Sequence, residues 1–140
     1  MYAHPTISYP EARAFVAAAL DLARRTHGAQ AAVACAVVGS SGELIAFGAH
    51  DGTGMLPRRL ASRKAYSAVL FKRDTAAVKE AVDAGSILMS RLGDDELLAI
   101  PGGVPVVVDG RIVGALGVSG LAPAQDAAVA EGTLRPDAGT

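Results

Sequence analysis

Two runs rich in β-branched residues, at 104–108 and 111–118, are separated by nothing more than Asp109-Gly110. No other stretch constrains the fold as tightly. An Asp-Gly pair tolerates positive φ at both positions, which the tightest hairpin turn requires, and the twist of that turn matches the twist of the strands it joins. The two runs are therefore expected to pair antiparallel through a two-residue turn.

Periodicity and punctuation supply the other elements. Ser8 and Glu11 form an S-x-x-E capping box, with Pro10 in the first turn, where a missing N–H costs nothing. Ala12, Phe15, Val16, Ala19, Leu20 and Ala23 then recur at i, i+3, i+4, i+7, i+8 and i+11, the stripe of an amphipathic helix stopped near Gly28. The apolar run 31–38, the turn Gly39-Ser40-Ser41-Gly42 and the return 43–48 read as a second hairpin. His50-Asp51-Gly52-Thr53-Gly54 is a loop by composition. Pro57 opens a helix with Leu60, Ala61, Ala65, Ala68 and Val69 on one face and Arg58, Arg59, Arg63 and Lys64 on the other. Asp74 caps a further helix over 75–84. Residues 87–92 fit either a helical turn or a connection. Residues 97–100 read as a strand broken by Pro101-Gly102-Gly103, and Pro123 starts the last helix.

The order is helix, two strands, two helices, three strands, helix. Hairpin-joined strands are antiparallel and helices must cover the sheet faces, so the expected class is an α+β sandwich. Residues 1–140 read as one domain without repeat or linker, and 132–140 as a flexible tail. The hydrophobic set makes up 51% of the chain, enough for a core. Aromatic residues are few, so alanine and glycine must let the elements approach closely. A net charge of −1 gives no nucleic-acid footprint. No stretch nears the roughly 20 apolar residues of a membrane span. One cysteine, Cys35, in an apolar run suits a reducing compartment. With no basic and apolar leader at its N-terminus, the protein is expected to be cytoplasmic.

Several residues carry possible chemistry. Gly102 and Gly103 offer consecutive amides to an anion, or else a tight connection into Val104. Arg58, Arg63 and Lys64 can hold carboxylates, against a solvated helix face as the plainer reading. Lys64 stands apart because Ala61, Ala65 and Ala68 leave room beside it, and it or Tyr66 is a candidate for proton transfer. His4, His27 and His50 lack metal-site spacing. His50 beside Asp51 is the best candidate iron ligand, whereas His27 suits a helix C-terminus. Ser119 and Gly120 expose amides just before a helix, a position that favours anions. Asp126 is read as an acid favouring the positive end of the last helix.

The run PGGVPVVVDGRIVGALGVSG at 101–120, followed by Pro123 and Gln125-Asp126, resembles the signature of the GlcG/HbpS family, which includes the C-terminal domain of PduO-type proteins. Asp51-Gly52 followed by Arg63-Lys64-Ala65-Tyr66-Ser67-Ala68 is a second match. Together they cover residues 7–131. The resemblance implies a profilin-like fold, an antiparallel five-stranded sheet flanked by helices. It also implies homo-oligomers and, in several members, binding of haem or a related tetrapyrrole, with haem breakdown or redox sensing in some. The chain departs from the family pattern at Gly39-Ser40-Ser41-Gly42, at Leu121-Ala122, where a helix-capping hydroxyl is lost at about 1 kcal/mol, and in ending soon after Glu131.

Three functions stay open at this level. The first is a binding protein for a small planar or anionic ligand of haem type, with Arg58, Arg63 and Lys64 meeting propionates near Gly102-Gly103 and Ser119-Gly120. The second is an enzyme acting on an organic acid or carbonyl compound, with Lys64 or Tyr66 moving the proton. The third is a ligand-free oligomeric accessory subunit.

Overall fold

The computed structural model describes residues 4–136. Its elements are α1 (Tyr9–His27), β1 (Ala34–Gly39), β2 (Leu44–Ala49), α2 (Met55–Phe71), α3 (Thr75–Asp83), a 3₁₀ turn at Met89–Arg91, β3 (Gly103–Val108), β4 (Arg111–Ser119) and α4 (Pro123–Leu134). The sheet is antiparallel in the order β2-β1-β4-β3. At the β3–β4 turn Val108 pairs with Arg111, and Asp109 and Gly110 sit at φ 51° and 76°. This is the expected two-residue hairpin. The capping box at Ser8 is present, with the Glu11 amide donating to Ser8 Oγ and the Ser8 amide to Glu11 Oε1.

The sheet has four strands among the described residues, not five. The segment 97–100 is the one that fails as a strand. Its backbone is committed elsewhere: the Leu97 amide donates to the Asp94 carbonyl, and the Leu98 amide to Ser67 Oγ of α2 at 2.7 Å. A four-residue apolar run cannot build a ladder while a neighbouring helix holds its donors. At the other end, residues 132–134, expected in a frayed tail, continue α4, with Thr133 Oγ1 donating to the Val129 carbonyl. Of that expected tail, residues 137–140 lie outside the described residues.

The two faces of the sheet are covered differently. Cys35, Val37, Val104, Val106, Leu116 and Val118 point toward α1 and α4 and form the larger core. Ala34, Ala36, Val38 and Ala115 point toward α2, which answers with Ala61, Ala65 and Ala68. Small side chains on both surfaces bring the helix nearly onto the sheet backbone. Gly103 and Gly117 are directly paired across β3 and β4. A Cβ on Gly117 would lie 2.1 Å from the Ala61 carbonyl oxygen, and one on Gly103 2.3 Å from that of Lys64. The two glycines make a shallow bed into which α2 settles. The packing is asymmetric: volume on one face, proximity on the other.

Candidate functional site

The close approach of α2 decides where its cations go. Lys64 lies on the buried side of the helix at 1% exposure, not on a solvated face. Its side chain passes Gly102, where a Cβ would come within 2.8 Å of Nζ, and rounds the end of the sheet. There Nζ donates to the Val118 carbonyl and to Asp126 Oδ2, both at 3.0 Å. Asp126, 2% exposed in the first turn of α4, also accepts from the Leu121 amide at 2.9 Å. The pair thus ties a helix on one face of the sheet to a helix on the other. Burial pushes the Lys64 amine down and the Asp126 carboxyl up, and their mutual attraction opposes both shifts. Ala122 has no side-chain acceptor to cap α4, and its own amide donates to Gln125 Oε1 at 3.2 Å.

Gly102 and Gly103 belong to this junction. Gly102 sits at φ 134°, and a Cβ there would meet the Val118 carbonyl at 2.5 Å. The Gly103 amide is taken by Thr75 Oγ1 at 2.9 Å. Ser119 is buried, and Gly120 takes φ 141° with the Ala32 carbonyl 2.4 Å from where its Cβ would be. Lys64, Gly102, Gly103, Ser119 and Gly120 are therefore brought together, as a closed junction around a buried ion pair.

Arg58 and Arg63 separate from that group and line an open groove of about 580 Å³ with Leu56, Arg59, Leu60, Ser62 and Glu96. Arg58 Nε donates to the Thr53 carbonyl at 3.0 Å, and Arg63 Nη2 to that of Asp95 at 2.6 Å. Both guanidiniums are held by main-chain carbonyls, Arg63 also faces the Glu96 carboxylate at 3.9 Å, and both keep donors to spare. Arg59 is exposed and has no acidic partner among the described residues. The sequence shows Arg58-Arg59 as a pair, and only the helical phase shows that both reach one groove. Tyr66 donates from its hydroxyl to Asp94 Oδ2 at 2.5 Å, and that bond raises its pKa. Ser67 Oγ donates to the Arg63 carbonyl and accepts from the Leu98 amide, so α2 holds the 94–98 loop through Arg63, Tyr66 and Ser67.

His50 has neither ring nitrogen free for iron. Nδ1 accepts from the Val33 amide at 3.0 Å, and Nε2 lies 2.9 Å from the Leu20 carbonyl, which fixes the neutral tautomer with hydrogen on Nε2. Desolvation lowers its pKa. The folded state therefore disfavours a proton that the unfolded chain takes up near pH 6.5. The stability lent by neutral His50 is present above that value and is lost as pH falls toward the folded-state pKa. Urea unfolding midpoints should thus decline below about pH 6.5, more steeply in the native chain than in His50→Gln. Among the described residues no cluster of three or more His, Cys, Asp or Glu side chains forms a metal site. No helix there is long and apolar enough to cross a membrane. Cys35 is buried and its thiol pKa pushed up by desolvation.

The chain matches the family model for the haem degrading protein HbpS-like over residues 7–135. It is 37% identical over 113 residues to protein GlcG of Escherichia coli strain K12, covering 81% of each chain. Its fold superposes on the crystal structure of Klebsiella pneumoniae protein ORFY with a TM-score of 0.87 at 27% identity, over 96% of this chain and 92% of that one. It superposes on the PduOC–haem complex with a TM-score of 0.82 at 25% identity, over 93% and 94% of the two chains. The family-model match over nearly the whole chain, together with the likeness to GlcG, shows that the chain belongs to the HbpS-like family.

Proposed function

We propose that the protein binds a tetrapyrrole of the haem class in the groove along the N-terminal half of α2, with Arg58, Arg59 and Arg63 meeting its carboxylates. The observation that carries this reading is the convergence of three guanidiniums on one open groove whose other lining includes Leu56 and Leu60. Guanidinium donors match carboxylates bidentately, and aliphatic side chains suit the face of a flat ring. The relative solved as a haem complex supports the ligand class.

In this reading Lys64, Gly102, Gly103, Ser119 and Gly120, which do not line the groove, make no ligand contact. Lys64 is closed to solvent, so the geometry gives proton transfer no accessible amine there. When bound, haem itself would supply any redox chemistry. No histidine lines the groove among the described residues, so the macrocycle is held by its carboxylates and its face.

Two titrations test this. Haemin, followed at the Soret band, and metal-free protoporphyrin IX, followed by fluorescence, should bind with similar affinity. The Arg59→Ala/Arg63→Ala variant should bind both more weakly by about 1–3 kcal/mol, the range for charge-assisted hydrogen bonds discounted for exposure. Unchanged haemin binding by that variant would overturn the reading. We also propose that the protein forms homo-oligomers and expect light scattering to give more than a 14.1 kDa monomer.

A further inference from the structure

The opposite end of the sheet carries a second concavity. This cavity of about 490 Å³ is walled by four segments distant in sequence: His4 and Pro5 before α1, Ser40 in the β1–β2 turn, Val69 and Lys72 at the end of α2, and Gly110, Arg111 and Ile112 at the start of β4. Topology assembles it. Gly39 at the end of β1 faces Gly114 near the start of β4, so the turn after one strand adjoins the beginning of the other. α2 runs along the sheet from the Gly117 bed to the β1–β2 turn, where a Cβ on Gly42 would touch Tyr66 and Leu70.

We propose that this cavity binds a small amphiphilic anion: a carboxylate or phosphate head, taken by Lys72 and Arg111, on a short aliphatic body. Charge is the first argument. Two basic side chains line one cavity, and among the described residues neither has an acidic partner. Of the acids flanking these segments in sequence, the Glu43 carboxylate already accepts from the Ser41 amide, and neither Asp74 nor Asp109 is among the lining residues. Like charges set on the walls of one concavity repel, and an anion between them removes that repulsion while supplying acceptors to both.

Backbone conformation is the second argument. Lys72 caps α2 in the left-handed region at φ 57°. Glycine, or sometimes asparagine, is the usual residue there because a Cβ is strained in that conformation. A lysine gives up stability at a position where glycine would serve, and strain of this kind gathers at ligand sites. Shape is the third argument. Pro5, Val69 and Ile112 supply apolar wall, and no aromatic ring lines the cavity among the described residues. An aliphatic body fits that lining better than a stacked base or a porphyrin. Arg63, the groove cation nearest in sequence, lies nine positions before Lys72, about 14 Å along the helix axis, and the two cavities share no lining residue, so the site is separate from the arginine groove.

The test is an amide NMR titration of the full chain with hexanoate, hexyl phosphate and hexanol, read at Ser40, Gly110 and Ile112. At least one of the anions should give saturating shifts, and which one does so identifies the head group; hexanol should give none. Lys72→Gln/Arg111→Gln should weaken binding about tenfold or more, the loss expected from removing a charge-assisted hydrogen bond. Both residues are exposed, and an unchanged melting curve checks that the variant folds. Arg59→Ala/Arg63→Ala should leave the shifts as they are, which separates this site from the tetrapyrrole groove. Absence of saturation with both anions, equal shifts with hexanol, or native affinity in the Lys72/Arg111 variant overturns the proposal.

Discussion

Replacing Lys64 with alanine should destabilise the protein by about 3–5 kcal/mol, the cost of leaving one member of a buried ion pair without its partner. Asp126 would keep the Leu121 amide but lose the only cation that reaches it among the described residues. The Val118 carbonyl would lose a donor in the same step. A second substitution tests whether the loss belongs to the pair. Lys64→Met fills the channel past Gly102 with an uncharged chain of similar length, and Asp126→Asn retains an acceptor for Leu121. The double variant should recover to within about 1 kcal/mol of the native chain, because a neutral buried pair has far less desolvation to repay. Denaturant unfolding of the native chain, both single variants and the double variant closes the cycle. If the two single losses simply add, the pair is not coupled and the junction has another origin.

The sign of the pH response gives an independent check on Lys64→Ala. An unpaired buried Asp126 has a folded-state pKa above its unfolded value, since burial already raises it. Such a group favours the folded state below its unfolded pKa and disfavours it increasingly as pH rises through the folded one. The deficit of Lys64→Ala should therefore shrink on acidification. A deficit independent of pH would point to lost packing alone.

Gly117→Ala should cost about 3 kcal/mol or more, at or beyond the upper end for overpacking a core. The added methyl would stand 2.1 Å from the Ala61 carbonyl oxygen and 2.7 Å from the Ala65 nitrogen. Both obstacles are helix backbone, which cannot rotate aside as a side chain does. α2 would have to lift from the sheet, opening the whole alanine interface and pulling Lys64 from Asp126. The matching control is Gly132→Ala in α4. There the new Cβ would meet only the tip of Leu22 at 3.0 Å, a flexible chain end. Helix propensity favours alanine by about 1 kcal/mol. Thermal unfolding should show a large fall for Gly117→Ala and none for Gly132→Ala. Equal behaviour of the two would mean that α2 does not rest on a glycine bed.

Local chemistry is what the sequence by itself determined. The Asp109-Gly110 turn, the Ser8–Glu11 capping box, the 3.6-residue stripe of α1 and the antiparallel α+β class are written in neighbouring residues, because turns, caps and helical periodicity are short-range properties. The long glycine- and valine-rich run carried the family for the same reason: its pattern is contiguous. Where residues 97–100 read as a fifth strand, the reading rested on a brief apolar run, and the donors of that run turned out to be held by Ser67 and Asp94. Nothing within four residues could announce that.

The tertiary structure alone decided the fate of the charges. Arg63 and Lys64 are adjacent in sequence, yet one borders an open groove and the other lies sealed beneath Gly102. A helix turns by about 100° per residue, so the difference depends on how deeply the helix sits. That depth was set by Gly103 and Gly117, some 40 to 50 residues away along the chain. Asp126, read as a helix-end acid, became the partner of Lys64 because two helices on opposite faces meet at one end of the sheet. His50 lost its availability to iron in the same way, its two nitrogens claimed by Val33 and Leu20. A side chain's chemistry belongs to what surrounds it, and those surroundings are assembled from long-range contacts that a reading of neighbours does not contain.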